Sequence, residues 1–96
     1  VDDDRTLREG CANILRLDNH HVTVFSRGEE AIDAAQRQHF DVALVDLYMT
    51  PVSGMDVLRA IVAADPRTLV VVMTGNPTVA SSLDALRAGA WDYLPK

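Results

Sequence analysis

Apolar residues recur at Leu7, Cys11, Ile14 and Leu15, a spacing that lines one face of a helix, and Asp4 precedes them as an N-cap. VTVF at 22–25 is short and β-branched, which predicts a strand, and in SRGE after it Ser26 and Glu29 have the spacing of a capping box. A second helix is therefore expected through about Arg37. VALV at 42–45 is apolar without alternation, as in a parallel-sheet strand covered on both faces. Val57, Leu58, Ile61 and Val62 mark a third helix, and LVVVM at 69–73 repeats the buried-strand pattern. Asn76-Pro77 supplies an N-cap and a first helical residue for a fourth helix, whose inward positions are Val79, Leu83 and Leu86. After AGA at 88–90, WDYL reads as a further strand. Strands alternate with helices through short links, so the pattern predicts an α/β fold with a parallel sheet and right-handed crossovers.

In such a sheet ligands bind outside the carboxyl ends of the strands. Val1 is followed there by Asp2 and Asp3, VALV by Asp46, VVVM by Thr74 and Gly75, and WDYL by Pro95 and Lys96. Polar residues often end strands, and any one of these alone would be punctuation. Together they bring three acids, a hydroxyl and an amine to one edge. Two carboxylates about 4 Å apart repel by roughly 4 kcal/mol at an effective dielectric near 20, so the acids need a cation. Asp2, Asp3 and Asp46 offer the hard oxygen ligands that suit Mg²⁺. With the metal present, Asp46 remains ionised and can attack phosphorus as a carboxylate nucleophile. The Thr74 hydroxyl and Lys96 ammonium can then meet the phosphoryl oxygens, with Gly75 leaving room.

Composition narrows the classes. The 96 residues form one domain, 48% hydrophobic, with a net charge of −5 that argues against direct nucleic-acid binding by this segment. No apolar run is long enough to cross a bilayer and no secretory signal pattern is present, so a cytoplasmic protein without membrane contact is expected. Cys11 has no partner for a disulfide and reads as a small core residue; His20, His21 and His39 lack metal-ligand spacing and read as surface or strand-edge residues.

With these residues in place, the sequence resembles the receiver domain of bacterial two-component response regulators. VDD at 1–3 is similar to that family's acidic pair, LVDLYM at 44–49 to its phospho-acceptor segment, and VMTG at 72–75 and AGAWDYLPK at 88–96 to its Thr and Lys segments. The ending DYLPK is most like the nitrogen-regulation type, whose receivers precede an ATPase and a DNA-binding region. The resemblance implies a flavodoxin-like (βα)5 fold with helices on both faces of the sheet. It implies Mg²⁺-dependent phosphoryl transfer from a sensor histidine kinase to Asp46, self-catalysed phosphorylation and dephosphorylation rather than turnover of an external substrate, and an output that controls transcription. It assigns the Tyr48 backbone carbonyl to the metal. Thr74 and Tyr93 become switch residues that reshape the surface of the fourth helix and fifth strand, including Ala88 and Trp91, for a partner or a homodimer.

Three features depart from the family pattern. Thr50 stands between Met49 and Pro51, where the family has proline directly after the methionine, which predicts a rearranged turn over the site. Tyr48 places an aromatic ring where it can cover the phosphoryl group. Most of strand 1 and all of helix 5 are absent, so residues 1–96 are expected to be a receiver domain truncated at both ends. Other classes fit less well. A haloacid-dehalogenase phosphatase places a second Asp two residues after its nucleophile, where Tyr48 stands. A flavin-binding module needs a hydroxyl-rich phosphate loop where DDDR stands. A receiver that has lost phosphorylation would lack chemical residues that are all present here.

Overall fold

The computed structural model describes residues 1–49, 51–76 and 78–96. The turn expected at Thr50 and the helical position of Pro77 lie outside the described residues. Among the described residues the chain forms α1 (Arg5–Leu17), α2 (Gly28–Arg37), β1 (Val42–Asp46), α3 (Gly54–Ala64), β2 (Leu69–Thr74), α4 (Val79–Arg87) and β3 (Asp92–Pro95). The strands make one parallel sheet in the order β1-β2-β3, with Asp46 level with Met73 and Thr74 level with Pro95. These three strands are the ones expected at VALV, LVVVM and WDYL, the last shifted by one residue. The ordering of strands and helices is that of the flavodoxin-like fold.

The core lies where α3 packs on the sheet. Val57, Leu58 and Ile61 of α3 are buried against Val45, Val70 and Val72, and Ala31 of α2 closes the far side. The 3.6-residue spacing of Val57, Leu58 and Ile61 turns all three toward the strands, and Ser53 caps the helix by accepting from the Asp56 amide.

Four local expectations are corrected. VTVF is not a strand: its neighbour on the sheet side is Val1–Asp2, which reaches it through one backbone bond, Asp2 N–H to Phe25 C=O at 3.2 Å, and one bond does not make a ladder. Ser26 does not cap α2. Arg27 holds the N-cap position and makes no side-chain cap bond, while Glu29 pairs with the Arg27 guanidinium. Thr78, not Asn76, caps α4, because the Thr78 hydroxyl accepts from the Ser81 amide and Ser81 reciprocates. The inward face of α4 is the small one. Ala85 is buried and Ser81 and Ala88 half-buried, whereas Val79, Leu83 and Leu86 are exposed, since short side chains let the helix lie close to β3.

In α1, Asp4 caps as expected, accepting from the Thr6 and Leu7 amides. Its inward side runs through Ala12 with Cys11 and Leu15 half-buried, leaving Ile14 in solvent.

Candidate metal and phosphoryl site at the strand ends

The carboxyl ends of β1, β2 and β3 and the start of the chain converge on one acidic pocket. Asp46 ends β1, and its amide donates to the Val1 carbonyl at 2.9 Å, which sets Asp2 and Asp3 beside it. The Arg8 guanidinium of α1 donates to the Asp2 carbonyl at 3.0 Å, so the first helix clamps this segment in place. At the other side, the Lys96 amide donates to the Thr74 carbonyl at 2.6 Å, continuing the β2–β3 pairing past Pro95 and aiming the lysine back over the sheet edge.

The geometry that results is tight. Lys96 Nζ lies 3.0 Å from Asp2 Oδ2 and 3.2 Å from Asp46 Oδ2, and both acids are almost wholly buried. Asp46 Oδ1 accepts from the Tyr48 amide at 3.3 Å, and Asp2 Oδ1 from the Asp4 amide at 2.9 Å. Burial pushes the Asp46 carboxyl above its ordinary pKa, the Asp2 charge adds to this, and the Lys96 ammonium works against both. For Lys96, burial would lower the pKa, but the bonds it donates to Asp2 and Asp46 outweigh it and hold the ammonium charged.

Carboxylate oxygens of Asp2, Asp3 and Asp46 lie within 4.8 Å of one another. The three carboxylates outnumber the lysine ammonium that pairs with two of them, and this excess of negative charge suits a divalent cation with oxygen ligands. The donor set therefore fits the metal expected from the sequence. The pocket opens to solvent between Leu7, Tyr48, Gly75 and Asn76, with Tyr48 half exposed at its mouth. A Cβ on Gly75 would meet only the Lys96 side chain, at 4.0 Å, so the backbone there leaves free space beside the carboxylates.

Thr74 is fully buried, and its hydroxyl accepts from the Asn76 amide at 3.1 Å. Tyr93 is half-buried on β3 and its hydroxyl meets Ser81 Oγ at 2.9 Å. Asp2, Asp3, Asp46 and Lys96 are thus brought together directly, with Tyr48 joined through its amide; Thr74 stands behind the pocket and Tyr93 one strand away.

Gly54, which lies outside the sequence motifs, also shapes the site. Its backbone crosses the end of β1 so closely that a Cβ would sit 2.5 Å from Leu47 Cα and overlap the Asp46 carbonyl oxygen, and its amide donates to the Leu47 carbonyl at 3.0 Å. Only glycine fits. The signal in the sequence was the Ser-Gly start of the third helix, eight residues after Asp46.

A parallel sheet with helices packed on it and an acidic pocket at the strand ends is the flavodoxin-like, CheY-like fold. The whole chain, residues 1–96, matches the family described as Response regulator receiver domain, and it belongs to that family. It is 34% identical over 96 residues to "Probable transcriptional regulatory protein TcrX" of Mycobacterium tuberculosis and 33% identical to "Transcriptional regulatory protein ZraR" of Escherichia coli. All of this chain is covered in both cases, but only 41% and 22% of those proteins. The chain thus spans about two fifths or less of the length of these relatives. Relatives of such different length match almost equally well, so the likeness does not single out the nitrogen-regulation type.

Among solved structures, a response regulator from Burkholderia pseudomallei, described with a phosphorylated aspartic acid and a calcium ion, superimposes with a TM-score of 0.94 at 26% identity, over 99% of this chain and 56% of that one. The receiver domain of DrrB, described as BeF3-activated, gives 0.90 at 28% identity over 99% and 79%. No helix among the described residues is long and apolar enough to cross a membrane.

Proposed function

We propose that this receiver domain accepts a phosphoryl group on Asp46 from the phosphohistidine of a sensor histidine kinase, in a reaction that requires Mg²⁺, and that the modification alters the α4–β3 surface to control transcription. The observation that carries this reading is the convergence of Asp2, Asp3 and Lys96 on the Asp46 carboxylate, within a chain that belongs to the receiver family.

Asp2, Asp3 and Asp46, with the Tyr48 backbone carbonyl, are the residues that would hold the ion. When bound, Mg²⁺ supplies charge that favours ionised Asp46 and offsets the phosphoryl oxygens. An Asp46 oxygen attacks phosphorus in line, the phosphorus–nitrogen bond of the donor breaks, and the leaving imidazole takes up a proton from solvent. Lys96, already charged and within 3.2 Å of Asp46, moves from its carboxylate partners to the developing phosphoryl oxygens. The buried Thr74 hydroxyl reaches the same group from behind, and Gly75 leaves the space it occupies. Loss of the phosphoryl group is hydrolysis at the same centre, so the domain catalyses its own modification and reversal without turning over an external substrate.

The names of the relatives support transcription as the output. Exposed Leu83, Leu86, Trp91 and Leu94 on α4 and around β3 form the surface offered to a partner or to a second receiver. Incubation with a small phosphodonor, followed by intact-mass measurement, tests the chemistry without the kinase. The expected result is one phosphoryl group per chain with Mg²⁺ and none with excess chelator; equal labelling in both would overturn the metal requirement.

A further inference from the structure

Asp2 is bonded through each of its hydrogen-bonding groups. Its amide donates to the Phe25 carbonyl at 3.2 Å, its Oδ1 accepts from the Asp4 amide at 2.9 Å, its Oδ2 from Lys96 Nζ at 3.0 Å and its carbonyl from Arg8 Nη1 at 3.0 Å. Asp3 is the opposite case. It is exposed, and among the described residues neither its amide nor its carboxylate has a hydrogen-bond or ion-pair partner, yet a carboxylate oxygen of Asp3 lies within 4.8 Å of those of Asp2 and Asp46.

What aims Asp3 at the pocket is the peptide unit before it. The Asp2 carbonyl and the Asp3 amide share one plane, so fixing the carbonyl fixes the direction in which the chain enters Asp3. Among the described residues, the bond from Arg8 is the one hydrogen bond made by that unit. The flanking peptides are held separately, by the Asp2 amide on Phe25 and the Asp4 amide on Asp2 Oδ1, so loss of the Arg8 bond would free this plane without releasing the chain on either side.

Helix geometry explains the reach. Asp4 caps α1 through the Thr6 and Leu7 amides, and the Arg8 amide closes the first turn on the Asp4 carbonyl at 2.9 Å. Helical side chains tilt toward the N-terminus, which sends the half-buried Arg8 side chain back along that turn to Asp2.

We infer that Arg8 is a positioning residue for the metal site, presenting the Asp3 carboxylate to the ion by holding the Asp2–Asp3 peptide. Its role rests on the reading that Asp2, Asp3 and Asp46 bind a divalent cation. The charge of Arg8 works in the other direction, because a guanidinium beside the pocket repels a second cation. Charge alone would make removal of Arg8 tighten Mg²⁺ binding; positioning makes it weaken, since a freed Asp3 must be ordered again each time the ion binds. Positioning prevails because the guanidinium is partly solvated, which screens its field, whereas groups that orient a metal ligand are usually worth about 10–100-fold in affinity.

Mg²⁺ titrations followed by the amide NMR shifts of Asp46 and Leu47 test this sign. Arg8→Met should raise the Kd about tenfold, and Arg8→Lys, which keeps a charged donor of nearly the same reach, should recover most of the loss. Arg5 is exposed one turn earlier and has no bonded partner among the described residues, so Arg5→Met removes a charge without removing an anchor and should leave the Kd unchanged or lower. In the metal-free protein the ¹⁵N heteronuclear NOE at Asp3 should fall in Arg8→Met and not in Arg8→Lys, while amide exchange at Leu58 in α3, the measure of global stability, stays as in the parent. An unchanged or lower Kd in Arg8→Met, an unchanged NOE at Asp3, faster exchange at Leu58, or a loss that Arg8→Lys fails to recover would overturn the inference. A parent that shows no Mg²⁺-dependent shift would overturn the metal reading itself, whereas a parent that binds Mg²⁺ with an Asp3 indifferent to Arg8 would overturn the positioning role alone.

Discussion

Lys96 at the end of β3 places its ammonium 3.2 Å from the Asp46 carboxylate at the end of β1, so the last residue of the chain compensates the acid at the centre of the pocket. Asp2 shares the same ammonium at 3.0 Å. The two buried acids are tolerable side by side because this cation is there, and a divalent cation would relieve them in the same way.

Replacing the lysine should expose that balance. Lys96→Gln leaves Asp2 and Asp46 without the ion-pair partner they share, and the domain should lose roughly 3–5 kcal/mol, the usual cost of breaking a buried pair from one side. Mg²⁺ should restore more stability to the variant than it adds to the parent, because the ion then meets one more uncompensated carboxylate charge. Thermal melts with and without Mg²⁺ measure both effects. Equal Mg²⁺-induced shifts in the two proteins would separate Lys96 from the metal-binding acids.

Gly54→Ala should be costly for a different reason. The added methyl would overlap the Asp46 carbonyl and crowd Leu47 Cα at 2.5 Å, and backbone cannot yield as a flexible side chain can. A loss of about 3 kcal/mol or more is expected, at the upper end for overpacking. Chemical denaturation checks it, and a variant within 1 kcal/mol of the parent would mean that the approach of α3 to β1 is loose.

At the opposite edge of the sheet, Asp65 predicts an acid-limb effect. Bonds from the Arg67 side chain, then from the Arg67 amide and from His39, hold its carboxyl well below the ordinary value of 3.8. An acid whose folded pKa is depressed stabilises the fold fully above the unfolded value, and that contribution is lost as pH falls through the folded one. Asp65→Asn should therefore be less stable than the parent at neutral pH, and the difference should shrink as pH drops below about 4. The pair is at the loop surface, so added salt should also shrink it. A gap that persists at acid pH would assign the effect of Asp65 to packing.

Much of this was legible in the sequence because it rests on local rules. The unbroken apolar runs at 42–45 and 69–73 specify buried parallel strands, and the residues after them must fall at one edge; that places Asp46 and Thr74, and the WDYL strand at 91–94 does the same for Lys96. Asp4 as a cap needs only its own side chain and the two amides it meets. The misreadings concern choices that neighbours make. Val22–Phe25 has strand-forming residues, but a strand exists only through its ladder, and Val1–Asp2 supplies a single bond. Ser26 and Thr78 are both capping residues by type; which one caps depends on where the chain enters the helix, and Glu29 was drawn to Arg27 instead. On α4 the periodicity of Val79, Leu83 and Leu86 is genuine, yet the sheet takes the alanine and serine face. The Tyr93–Ser81 bond joins a strand to a helix and leaves no trace in either segment alone.

The location of the phosphoryl group tests the central claim most directly. After treatment with a small phosphodonor and Mg²⁺, borohydride reduction converts an aspartyl phosphate to homoserine, which peptide mass spectrometry can place to the residue. The conversion is expected at Asp46 alone, and Asp46→Asn should show none. Conversion at Asp2, Asp3 or any other acid, or an undiminished phosphoryl mass gain in Asp46→Asn, would contradict the account.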